Sequence, residues 1–246
     1  MKPLPVVIAC KDRATVSSVG CDDGSETRMV CLDDLRGKGV RHGWPAGATI
    51  LHEGDNSDHV VIIEVGSVKV SLSSPAGRQL VLAIRGPGDL LGEIAAIDGR
   101  SRSATVTALS SVTATVLPGA AFRSLLMKDG ARAFAMLRMV TERLREADAH
   151  RLELSAYTVL HRTSRLLADF AGRHGFVGRD GAAIQVPLSQ AELAQATGAS
   201  REAVVKALRH LRELGAVRTS RRRIEVLSLD VLSMITEDLL SDASPA

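Results

Sequence analysis

The sequence predicts an α+β chain: an antiparallel β jelly roll first, then one long helix, then a C-terminal winged helix-turn-helix. Three observations predict it. Between Trp44 and Leu117, short runs rich in Val, Ile and Thr are punctuated by glycine, the pattern of short strands joined by tight turns. From about Ala131 to Leu154 a helical period runs without Gly or Pro. From Leu188 to Gly215 two capped helical segments flank Gly198, and a hairpin-like stretch follows.

At 246 residues the chain has room for two cores. The expected division is an extension over 1–35, a β-roll over 36–128, a central dimerisation helix over 129–157, and the winged unit over 158–246. The extension mixes short apolar runs with Asp22, Asp23, Gly24 and Ser25 and fits no element. Its cysteines, Cys10, Cys21 and Cys31, are the chain's three. That odd count, without a secretion signal, argues against a disulfide framework.

The expected strands are His59–Val65, Ser67–Leu72, Gln79–Ile84, Ala104–Leu109 and Val112–Leu117. Glycines 47, 54, 66, 77, 86 and 88 fall between the runs, where turns call for positive φ. After Pro118 and Gly119 a short helix is expected over Ala120–Met127, and the long one then begins. Within it Ala133, Leu137, Val140, Leu144, Ala147 and Leu154 follow a four–three spacing broken at Arg151. That is the seam of a coiled coil, and a helix this long overshoots a small β-domain. A further helix is expected over Val159–Arg173, a turn over Gly178–Gly181, and a short strand at Ala183–Val186.

The sharpest signal lies between Leu188 and Gly215. Ser189 with Glu192 makes a capping box, Gly198 allows the left-handed turn that ends the first helix, Ser200 caps the second, and Gly215 stops it. At about 100° per residue, Ala203, Val204, Ala207, Leu208 and Leu211 share one side of the second helix. Arg201, Glu202, Val205, Lys206 and Arg209 share the other. Arg can clamp guanine O6 and N7, and Glu can accept from a cytosine amino group. Downstream, Ala216–Leu227 reads as a wing whose Arg221, Arg222 and Arg223 suit phosphate. The residues expected at DNA are therefore Ser189, Ser200, Arg201, Glu202, Val205, Lys206, Arg209, Arg221 and Arg222.

Charge supports this placement. The net charge is only +3, but between Pro187 and Val226 eight Arg and Lys stand against four Glu. A local excess of this kind is the footprint of a polyanion partner.

A second cluster lies between strands. Gly92 and Glu93 precede Arg102, Ser103 and Ala104 by ten residues. Glycine permits close backbone approach, a carboxylate takes a ribose hydroxyl, and arginine beside a hydroxyl suits a phosphate. The alternative is an internal salt bridge from Glu93 to Arg102 or to Arg143.

Together these residues resemble the Crp/Fnr family, from about Arg41 to Val226. The matching pieces are Gly47, the Glu53-Gly54-Asp55 turn, Gly66, Gly92-Glu93, Arg102-Ser103-Ala104 and Ser200-Arg201-Glu202. The resemblance implies a cyclic-nucleotide-binding-like β-roll, with the Gly-Glu element on the ribose and the Arg-Ser element on the cyclic phosphate. It implies a homodimer joined along the long helix, double-stranded DNA with TGTGA-like palindromic half-sites, and RNA polymerase as a partner. Lys206 stands where the family commonly has Arg. On the long helix, Ala147 and Asp148 stand where cyclic-AMP binders carry a hydroxyl pair against the purine. Asp148 is an acceptor that suits an adenine amino group and suits the guanine N1–H and N2–H edge better. Three cases stay open: cyclic AMP, a guanine-containing cyclic nucleotide, or an unrelated effector or none. The family's cluster-binding members use closely spaced cysteines, unlike the wide spacing here, so no metal is expected.

Other classes find less support. No nucleophile–base constellation points to an enzyme. The longest apolar stretch, around Val60–Ile63, is far too short for a bilayer, and Lys11, Asp12 and Arg13 cut off the apolar run Val6–Ala9. The expected location is the cytoplasm. Two other functions stay open: a constitutive regulator whose β-roll is only a dimerisation scaffold, and a cyclic-nucleotide-binding regulatory subunit of another system.

Overall fold

A computed structural model describes residues 37–77, 79–174, 176–177, 184–220 and 223–241. The extension with its cysteines, the expected Gly178–Gly181 turn, and Arg221 and Arg222, expected in the wing, lie outside the described residues.

The β-roll is two four-stranded antiparallel sheets among the described residues. One orders β1 (Val40–Trp44), β8 (Val112–Leu117), β3 (Val60–Val65) and β6 (Leu90–Leu91); the other orders β2 (Thr49–Leu51), β7 (Thr105–Ala108), β4 (Val68–Ser73) and β5 (Gln79–Arg85). The pattern explains the layering. β3 is buried on both faces from Val60 to Ile63, with 0% exposure at each position, as a central run of β-branched residues requires. β4 is buried only at Val68 and Ser71, a three-residue step that accompanies a register shift between Val70 and Ser71. The glycines at 47, 54, 66, 77 and 88 do take positive φ. Gly86 does not; its amide is held by Asp89 Oδ2 at 2.9 Å instead.

Strands β1, β2 and β6 escaped the sequence reading, being short and only weakly alternating. A one-and-a-half-turn helix, α1 (Glu93–Asp98), follows β6. Helix α2 (Gly119–Lys128) buries Phe122 and Leu125 against Val60, Ile62, Leu90 and Leu117.

Helix α3 (Gly130–Ala156) is 27 residues long and starts at Asp129, whose carboxylate accepts from the amides of Ala131 and Arg132. None of its residues is buried. Phe134, Leu137 and Leu144 are each about 60% exposed. Leu154 departs from the expected seam: it packs on the helix-turn-helix, where a Cβ added to Gly198 would stand 2.8 Å from Leu154 Cδ2.

The C-terminal unit packs α4 (Val159–His174), α5 (Gln190–Thr197) and α6 (Arg201–Glu213) around Leu167, Phe170, Leu188, Leu193, Val204, Leu208 and Leu211. A third sheet, β11 (Val217–Ser220), β12 (Arg223–Val226), β10 (Ile184–Val186) and β9 (Phe176–Val177), closes it. The register Val217↔Val226 through Ser220↔Arg223 makes the wing a tight hairpin. Helix α7 (Leu229–Ser241) was not expected, and Ser241, read as part of a polar tail, ends it. Its signal was present in Ser228, whose hydroxyl caps the amide of Val231, and in Leu232, which is fully buried.

Candidate DNA interface and effector pocket

Each helix-turn-helix cap predicted from sequence is formed. Ser189 Oγ accepts from the Glu192 amide at 3.2 Å, and Glu192 Oε2 reaches back to the Ser189 amide at 2.9 Å. Gly198 sits at φ 58°, in the left-handed region. Ser200 Oγ accepts from the Ala203 amide at 3.2 Å and starts α6. Such caps fix where a helix begins, and so which way its first turn points.

Helix α6 divides as its angles predict. Val204, Ala207, Leu208 and Leu211 are buried, while Arg201, Glu202, Val205, Lys206 and Arg209 are exposed. Glu202 accepts from its own backbone amide and from the Ser200 hydroxyl, which hold its carboxyl below the ordinary range. It is therefore an ionised acceptor in the first turn of the helix. Arg209 is drawn back along the helix to Glu213 Oε1 at 3.1 Å. Ser189 is half-buried at the start of α5. In the wing, Arg218 pairs with Glu225 at 3.3 Å and Arg212 donates to Thr219 Oγ1 at 2.9 Å.

The second cluster converges only in part. Gly92 takes φ 78° at the entry to α1. An added Cβ there would overlap the Arg102 guanidinium and stand 2.9 Å from the His59 carbonyl. Glu93 and Arg102 are both 3% exposed. Arg102 donates to Ser57 Oγ at 2.9 Å, to the Gly92 carbonyl at 3.0 Å and to the His59 carbonyl at 2.6 Å. Burial pushes its pKa below the ordinary arginine value, against the opposing charges of Asp58, Glu93 and Asp55. Burial, with the Arg102 charge, also lowers His59 and favours its neutral form.

The partner of Glu93 is Arg143. Its Nη1 lies 2.6 Å from Glu93 Oε1, and its Nη2 donates to the Leu90 carbonyl at 2.6 Å. Of the two internal salt bridges weighed for Glu93, the one with Arg143 forms. Ser103 is exposed and Ala104 half-buried; the hydroxyl on Arg102 belongs to Ser57, which sequence reasoning missed. A serine 45 positions upstream carries no local signal. Asp148 is 60% exposed on α3 and paired with Arg151 at 3.0 Å. Among the described residues no group of His, Cys, Asp or Glu converges as a metal site, and no helix is long and apolar enough to cross a membrane.

A cleft of about 370 Å³ lies elsewhere, between β5, α3 and α4, lined by Arg85, Glu146, Asp169 and Arg173 among others. Sequence reading did not find it, because its walls come from four separate stretches of chain.

Comparison with known proteins agrees with this geometry. The profile of the cyclic nucleotide-binding domain matches residues 41–129, and that of the Crp-like helix-turn-helix domain matches residues 161–235. The chain is 34% identical over 177 residues to the CRP-like cAMP-activated global transcriptional regulator of Mycobacterium tuberculosis, covering 71% of this chain and 78% of that one. A CRP-family transcriptional regulator from Thermus thermophilus superposes with a TM-score of 0.67 at 27% identity, over 80% of this chain and 96% of that one. FixK2 from Bradyrhizobium japonicum shares the fold with a TM-score of 0.72 at 20% identity, over 85% of this chain and 99% of that one. With a β-roll that matches the cyclic nucleotide-binding domain, a capped helix-turn-helix that matches the Crp-like one, and these relatives, the chain belongs to the Crp/Fnr family of DNA-binding transcription regulators.

Proposed function

We propose that the protein is a cytoplasmic homodimer that reads palindromic, TGTGA-like half-sites through Arg201, Glu202 and Lys206, under control of a cyclic nucleotide in the β-roll. The observation that carries the reading is the face of α6. Its exposed positions 201, 202, 205 and 206 project together from a helix whose other side is locked into a core. Ser200, Ser189 and the wing arginines Arg221 and Arg222 supply backbone contacts, which position without specifying. RNA polymerase is the partner that the family reading implies.

The effector residues fit a cyclic nucleotide on two grounds. Gly92 lets the Arg102 guanidinium lie against its backbone, where any side chain would overlap it. Glu93 and Arg102 are buried charges with capacity to spare: Arg102 uses three of its five N–H groups on protein, and a second Glu93 oxygen is open to a ribose hydroxyl. The name of the mycobacterial relative, cAMP-activated, supports a cyclic nucleotide. Ala147 and Asp148 leave cyclic AMP and cyclic GMP both in play. A bound nucleotide would supply a phosphate for Arg102 and a hydroxyl for Glu93; Arg143 then orients the carboxylate from α3.

Selection from random duplexes tests the reading, followed by Arg201→Ala on the winning site. The expected loss is about 1–3 kcal/mol, confined to one base pair in each half-site. A uniform loss over all sequences would make Arg201 a phosphate contact, and no enrichment at all would end the reading. Calorimetry with cyclic AMP and cyclic GMP, on wild type and Arg102→Ala, separates a nucleotide sensor from a scaffold.

A further inference from the structure

The face that α6 turns to solvent is not uniformly charged. Arg201, Glu202, Lys206 and Arg209 are exposed, and among them stands Val205, 40% exposed. The other aliphatic side chains of α6 larger than alanine, Val204, Leu208 and Leu211, are all buried. They build a core with Leu167, Phe170 and Leu193, to which Val205 does not belong. Nor does helix stability call for a valine here. A β-branched residue in an exposed helical position is a poorer helix former than Ala, Lys or Glu. Val205 therefore serves neither the helix nor the core beneath it.

Its position is central to the reading face. At about 100° per residue it falls about 40° round the helix from Arg201 and about 60° from Glu202, one turn further on. Lys206 flanks it on one side. Arg209, a turn beyond, is drawn away along the helix to Glu213 Oε1 at 3.1 Å. The isopropyl group thus stands open between side chains that make hydrogen bonds. In a helix, valine keeps a single χ1 rotamer roughly 90% of the time. Its methyl groups are aimed before any contact forms, and little freedom is lost when one does.

The chemistry of the groove then names the contact. Arg and Glu read donors and acceptors on base edges, but an apolar group has one counterpart in the major groove, the C5-methyl of thymine. Lys206 adds a point charge on a flexible stem, not a planar fork, so it discriminates less sharply than Arg201. Four residues of helix advance about 6 Å, less than two base-pair steps of about 3.4 Å. Resting on the DNA-reading function above, we propose that Val205 is a specificity-determining residue, whose methyl groups pack on the C5-methyl of a thymine within two base pairs of the pair read by Arg201. The recognition helix then reads a methyl group as well as hydrogen-bonding edges.

The test removes that methyl group alone. In the duplex selected by the wild-type full chain, each thymine within two base pairs of the Arg201 position is replaced in turn by deoxyuridine, which keeps every hydrogen-bonding group. Fluorescence anisotropy at one fixed salt concentration should show wild type losing about fourfold in affinity per half-site at one of these positions, the effect of returning about one methyl-sized group to water. Val205→Ala should bind the thymine and uracil duplexes equally, at the affinity wild type has for the latter. Alanine is the better helix former at this exposed position, so the variant keeps α6. Wild type indifferent to the methyl group at every such position overturns the assignment, as does a selected half-site with no thymine there. An undiminished methyl effect in Val205→Ala also overturns it, since the contact then belongs to another side chain or to the shape of the duplex. The readout is a ratio between duplexes that differ by one methyl group, so it holds whether Arg201 clamps a base or a phosphate. A wild type that selects no duplex fails the DNA-reading assignment and takes this one with it, whereas selection followed by indifference to the methyl group fails this one alone.

Discussion

Arg143 Nη1 lies 2.6 Å from Glu93 Oε1, joining the middle of the long helix to the first residue of α1. The side chains are 19% and 4% exposed, so the pair is largely withdrawn from water. Removing one member of such a pair leaves the other charge buried without compensation, which costs more than the pair contributes when intact. Arg143→Met should therefore lower stability by about 2–4 kcal/mol in urea unfolding. Glu93→Gln in the same chain should recover much of that loss, and the cycle of single and double variants measures the coupling. Simple additivity would show that the pair is not an energetic unit.

Gly92 offers a sharper test of the pocket. Its φ of 78° is in the left-handed region, and a Cβ would overlap the Arg102 guanidinium. Gly92→Ala adds about 1–2 kcal/mol of backbone strain and forces Arg102 off its three acceptors. The expected outcome is a lower Tm together with loss of nucleotide-induced stabilisation. A variant that kept its full thermal shift with a cyclic nucleotide would place the phosphate away from Arg102.

These two sites show what was legible beforehand. Gly92, Glu93 and Arg102 were found because a glycine, a carboxylate and an arginine stand at short, fixed offsets along the chain. The caps at Ser189 and Ser200 were found for the same reason, since capping is decided within four residues. Strands Val112–Leu117 and Val60–Val65 were visible because their runs are mostly β-branched, as buried strands favour. The partners supplied from a distance were not visible: Ser57 on Arg102, Lys69 on Glu192, and Leu154 against Gly198 each depend on how separate elements pack. Leu154 obeyed the heptad spacing and was assigned to the seam, but the fold uses it on the helix-turn-helix. Helix α7 was missed because the run from Ser228 to Leu240 was not tested for a helical period, and only the residues from Ser241 on were read, as a polar tail.

The clasp at Glu146 gives a pH dependence with a definite sign. Burial works to raise the Glu146 pKa, but the hydrogen bond from Arg173 and the charge and hydrogen bond of Arg85 outweigh it and hold the group below the ordinary carboxylate range. A depressed folded-state pKa stabilises the fold above the unfolded-state value and loses that contribution as pH falls through the folded one. Neighbouring Asp169 has the opposite sign: burial raises it, assisted by Glu146 and opposed by Arg165 and Arg173. Stability should thus decline below about pH 4.5, the ordinary range for a carboxylate. Glu146→Gln should flatten that acid limb, and Asp169→Asn should steepen it. Unfolding free energies from about pH 3 to 7 check both, and an acid limb identical in all three proteins would remove Glu146 from the account.

The exposed stripe on α3 carries the last prediction. Phe134, Leu137 and Leu144 are 62%, 60% and 59% exposed on a helix that buries none of its residues. Large side chains in water on one face gain about 25 cal/mol for each Å² they can hide, and a second copy of the same helix hides them symmetrically. Leu144→Arg places a charge in the centre of that face, opposite its own copy. Sedimentation should then show a monomer where the wild type is a dimer. Because two half-sites are read only when two recognition helices are joined, affinity for a full palindrome should fall by about a hundredfold or more, the size of a typical avidity gain. Affinity for a single half-site should stay within about twofold, since α6 itself is untouched. A variant that stayed dimeric would move the interface off this helix, and one that became monomeric yet kept its palindrome affinity would show that the two half-sites are read independently.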